Sequence, residues 1–107
     1  MKEASWKDCI MESTSRKITI DPAKANSLVK TAKSRIKYLS KNRIDSNSVN
    51  FIFEGFYTSF IELMQALLEL EGYNVKNHIC LGFFLRDELK REDLFRMFDD
   101  CRFKRNS

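Results

Sequence analysis

Chain breakers are scarce. Three Gly and one Pro in 107 residues leave too few turns for a many-stranded sandwich or barrel and suit long helices, so an all-α fold is expected. Histidine is scarcer still, with His78 standing alone, and the three cysteines Cys9, Cys80 and Cys101 contain no C-x-x-C pair. Zinc-ligand spacing is therefore excluded, and no disulfide framework is suggested. Reduced thiols in turn predict an intracellular protein, placed in the cytoplasm. No run of about 18 apolar residues occurs, and the opening MKEASWKDCI carries acidic residues without a signal-type apolar stretch, so neither a membrane span nor export is expected. Glycine-rich phosphate loops and clusters of metal-ligating side chains are missing too, which leaves no expected cofactor or metal.

What remains is the composition of an ordered soluble domain: 43% hydrophobic and 32% charged residues, with a net charge of +4. A chain of this length supports a single core, so one domain over residues 1–107 is expected. The first twenty residues form a polar arm anchored by Trp6, Ile10, Ile18 and Ile20, with a short helix near 3–12. Asp21 as N-cap and Pro22 at the first helical position then open a long helix over about 22–44, whose Ala25, Leu28, Val29, Ala32, Ile36 and Leu39 make one apolar stripe.

After the polar break DSNSVN, the most apolar segment runs from Val49 to the stop at Gly72. Gly55 lies inside it, marking either a close helix approach or a tolerated blemish. A third helix begins after the cap Asn77, and a last one covers REDLFRMFDDCRFKRNS. The expected architecture is a compact antiparallel bundle of four main helices with a short N-terminal arm.

Charge is distributed unevenly. No acidic residue lies between Asp21 and Asp45, where Lys24, Lys30, Lys33, Arg35, Lys37, Lys41 and Arg43 are all basic. Such a helix fits phosphates or an acidic partner, while a plain solvated face is its bland alternative. On the apolar segment, Glu54, Thr58, Glu62, Gln65 and Glu69 make a polar strip, and most such strips face water. Glu54, set among aromatic residues, is expected either to be exposed or to support a terminal arginine such as Arg102. His78 is expected to be structural, having no obvious nucleophile beside it.

Read together, WKDCI, AKANSLVKTAKSRIKYL, FEGFYTSFIELMQALLELEGYNVKNH and FDDCRFKRNS resemble the HEPN superfamily of small α-helical domains across nearly the whole chain. The resemblance implies a homodimer of toxin–antitoxin or RNA-processing type, acting as a metal-independent ribonuclease or as an RNA-binding module. A nucleotidyltransferase-type antitoxin would be a possible partner. The family signature is an arginine, a polar residue, and a histidine or tyrosine a few positions on. Arg105 and Asn106 would occupy its first two positions, with Ser107 opening the spacer. The arginine would stabilise charge on the scissile phosphate and the polar residue would orient the attacking 2′-hydroxyl. The third group has no position in these 107 residues, so the chain as it stands is expected to be inactive. Lys30, Lys33, Lys37 and Lys41 would hold the RNA backbone. The rival expectation is a non-catalytic helical module that docks an acidic partner.

Overall fold

Asp21 adopts the extended backbone of an N-cap and its carboxylate accepts from Lys24 N, so helix α2 (Pro22–Ser40) begins where the sequence places it. In the computed structural model, which describes residues 4–12 and 15–106 and leaves the side chains of Ser15 and Arg16 aside, the chain is all-α with one small ribbon. The order is α1 (Trp6–Met11), β1 (Ser15–Lys17), α2, α3 (Val49–Glu71), β2 (Tyr73–Val75), α4 (His78–Asp87) and α5 (Glu92–Arg105). Two compact units divide these elements: Ile20–Glu71 is one, and the N-terminal segment through Thr19 joins Gly72 onward to make the other.

The first unit is the α2–α3 hairpin. Its helices run antiparallel, as shown by Lys24 reaching Glu69 at 3.3 Å and Arg35 reaching Glu62 near the middle. The apolar stripe turns inward, with Ala25 and Ala32 fully covered. At Gly55 the close approach is real: a Cβ there would lie 2.5 Å from Leu39 Cδ1. Helix α2 ends at Ser40, short of the expected 44. Local side chains satisfy the backbone instead, since Asn42 Nδ2 donates to Tyr38 O at 2.7 Å and Ser48 Oγ to Arg43 O at 2.7 Å. Helix α3 is long and apolar enough, by length and composition alone, to cross a bilayer; here its Glu62 and Glu69 are matched by cations of α2.

The second unit wraps the N-terminal arm onto α4. Gly72, at φ 87°, ends α3 in the left-handed region, and its carbonyl accepts from Ile18 N at 2.8 Å. Strands β1 and β2 then pair antiparallel, Ser15 opposite Val75 and Lys17 opposite Tyr73. This ribbon was not expected from the sequence, because three-residue strands carry too little alternation to read. Trp6 is buried edge-to-face against Tyr73 and Phe84. Asp87 accepts from Trp6 N at 2.8 Å, and Arg86 binds both Asp87 and Ala4 O.

Cys9 and Cys80 are joined as a disulfide within this core, both fully buried. The expectation of three reduced thiols is thereby corrected, with Cys101 alone free. The cause is tertiary: docking α1 on α4 brings together sulfurs 71 residues apart, a proximity that no local spacing encodes.

Candidate nucleic-acid interface

The lysines of α2 separate into two roles by helical phase. Lys24 and Arg35 follow the apolar stripe and point to α3, where Lys24 meets the buried Glu69 and Arg35 grips Glu62 with both Nη atoms. Arg35 Nη1 also donates to Ser59 Oγ at 3.2 Å, and Ser59 passes its own proton to Gly55 O at 2.8 Å. Thus the polar strip of α3 does not simply face water; at Glu62 and Glu69 it is the complement of α2. The phase of Arg35, three residues after Ala32 and four before Leu39, was the signal for this contact.

Lys30, Lys33, Lys37 and Lys41 fall three or four residues apart, and all four are exposed. None has an ion pair among the described residues. They make a continuous positive edge along α2, with Tyr38 exposed beside it. Such an edge attracts phosphate without reading a base. Glu54 of α3 is exposed as well.

A second cationic group ends α5. Glu92 and Asp93 occupy its first turn and Arg102, Lys104 and Arg105 its last, an order that complements the helix dipole. Lys104 pairs with Asp100 at 3.1 Å. Arg102 Nη2 donates to Asp99 at 3.0 Å, a carboxylate on its own helix. Arg105 and Asn106 are exposed, and Asn106 caps the helix through its backbone N–H to Arg102 O.

His78 begins α4, directly after Asn77, whose side chain accepts from Ile79 N at 2.9 Å. Burial lowers the imidazole pKa from its ordinary value, and the positive charges of Arg105 and Arg102 lower it further. The structure therefore brings His78 into the field of the two arginines, a relation missed by sequence reading because 24 residues separate His78 from Arg102. Among the described residues no group of three or more His, Cys, Asp and Glu side chains is placed to hold a metal.

No family model matches the chain, and neither a curated protein nor a solved structure does.

Proposed function

We propose that the protein is a HEPN-like RNA-binding domain of toxin–antitoxin or RNA-processing type, with metal-independent RNA cleavage as the activity its terminal Arg105–Asn106 pair would serve. The observation that carries this reading is the exposed lysine edge of α2. The cations that the fold uses internally, Lys24 and Arg35, are turned to α3, while Lys30, Lys33, Lys37 and Lys41 stay in water. A four-helix antiparallel bundle, a homodimer and a nucleotidyltransferase-type antitoxin belong to the same proposal. So does a cytoplasmic setting without membrane association, where complete burial of Cys9 and Cys80 would shield their bond from thiol reductants.

RNA affinity measured against salt tests it. The logarithm of the binding constant should fall linearly with the logarithm of salt, and Lys33→Gln with Lys37→Gln should reduce the slope by roughly 0.7 per lysine. Binding indifferent to salt, or a slope unchanged in the double variant, would rule out the lysine edge.

A second reading, a helical module docking an acidic partner, draws support from apolar side chains left in water: Phe51 is 79% and Phe103 70% exposed. A protein that binds no RNA yet captures an acidic protein through the lysines would establish that reading instead.

A further inference from the structure

We infer that the outer face of α5 is where a second copy of this chain docks, the two helices lying antiparallel about a two-fold axis. The inference gives a face to the two-copy assembly of the reading above and rests on that clause of it alone. Helix α5 is attached to α4 by one side. Phe98 is buried there, a Cβ on Gly82 would lie 3.3 Å from its ring, and the rings of Phe83 and Phe95 stack at 6.2 Å. On the opposite side Asp93, Arg96, Met97, Asp100, Phe103 and Lys104 follow one another at helical spacing, so they share one stripe, and all six are exposed. Met97 is 54% and Phe103 70% exposed. Beside them opens a hollow of about 540 Å³, lined by Phe95, Arg96, Met97, Asp99, Asp100 and Phe103. An aromatic ring in water next to an open hollow on the same helix offers a knob and a hole that two copies can engage reciprocally.

Charge selects a second copy as the occupant and sets its direction. From the start of α5 the stripe alternates acid and base through Asp93, Arg96, Asp100 and Lys104. A parallel copy would set like charge against like at every level. Reversal sets Asp93 against Lys104 and Arg96 against Asp100, each pair made twice across the axis. With the axis between Met97 and Asp100, Met97 lies near the centre, and Phe103, leaning toward the start of its own helix, reaches the hollow of the other copy. The ion pairs already present are weak competitors. Lys104 meets Asp100 at 3.1 Å and Arg96 meets Glu92 at 3.4 Å, but both pairs are exposed and contribute little. A helix of 14 residues is about 21 Å long, which puts the face at the small end of stable interfaces, so the dimer is expected to dissociate on dilution.

Association of the intact chain is measured by sedimentation equilibrium over a range of concentrations. Arg96→Glu and Asp100→Arg each turn two attractive pairs into two repulsive ones, and each alone should weaken association by about tenfold or more. Mixed in equal amounts, the two variants should associate as the parent chain does, because every contact across the axis again joins opposite charges. The double variant Arg96→Glu with Asp100→Arg should likewise associate with itself. Rescue on mixing requires both variants to be folded, so it separates lost association from lost folding. Phe103→Ala and Met97→Ala should also weaken association, and Phe51→Ala should leave it unchanged.

A dimer equally strong in both charge variants and in Phe103→Ala would overturn the α5 face and leave the two-copy assembly standing elsewhere on the surface. Charge variants that stay apart when mixed would overturn the antiparallel pairing. A single-chain mass at every concentration would overturn the face and the two-copy assembly together and leave the stripe to an unlike partner, while the salt dependence of RNA affinity would still decide the lysine edge by itself.

Discussion

Asp87 shows how much of the N-terminal arm hangs on one carboxylate. Arg86 hydrogen-bonds it at 2.7 Å and Trp6 N at 2.8 Å, and its pKa is lowered from the ordinary 3.8, chiefly by the Arg86 hydrogen bond; burial is the next effect and opposes it, while the Trp6 amide and the charges of Arg86 and Lys90 lower it further. A carboxyl whose folded pKa is depressed binds fewer protons folded than unfolded. Its stabilisation is complete above the unfolded value and fades as pH falls below about 4 through the folded one. Denaturant unfolding followed from neutral to acid pH should therefore show a loss that Asp87→Asn removes, the variant being weaker at neutral pH and flatter in acid. Tryptophan fluorescence is a direct readout, since Trp6 is the sole tryptophan. Equal acid slopes in both proteins would refute the role.

Between elements, two attachments differ in kind. In the α2–α3 hairpin, Arg35 serves Glu62 and the fully buried Ser59 together. Removing the guanidinium leaves both acceptors short of a partner, so Arg35→Ala should destabilise by about 2 kcal/mol in urea unfolding. Arg35→Leu combined with Glu62→Leu should recover part of that loss, because replacing a partly buried pair by apolar groups removes the desolvation penalty with the attraction. Full additivity of the two single changes would contradict coupling. In the other unit, the Cys9–Cys80 bond fastens α1 to α4 across 71 residues of chain. Loop-closure entropy for that span gives about 4 kcal/mol at most, so unfolding under reducing conditions should occur at lower denaturant than under oxidising ones. Coincident curves would exclude the cross-link in solution.

At the scale of the whole molecule, the exposed aromatics and the basic edge raise the question of a partner. Association of two copies, as the HEPN-like proposal requires, should bury roughly 1,200 Å² or more in total, and Phe51 and Phe103 are exposed apolar side chains able to contribute. Light scattering at high concentration should return twice the 12.6 kDa chain mass, and Phe103→Glu or Phe51→Glu should reduce it if that side chain lies in the interface. A mass of one chain at every concentration would remove the dimer from the proposal.

The sequence by itself determined the pieces: the Asp21–Pro22 start, the Asn77 cap, the Gly72 stop, and the helical character that follows from three glycines and one proline. It also marked the acid-free stretch whose four lysines stand in water. These are local properties, set by backbone dihedrals, capping and periodicity within a few residues, and such physics is written where it acts. Only the tertiary structure decided that Cys9 meets Cys80, that Glu62 and Glu69 face cations, that β1 pairs with β2, and that His78 lies in the field of Arg102 and Arg105. Each of those depends on the register between segments far apart in the chain. Register is fixed by the packing of side chains such as Leu39 on Gly55 and Phe98 on Gly82, contacts whose partners no spacing along the sequence names.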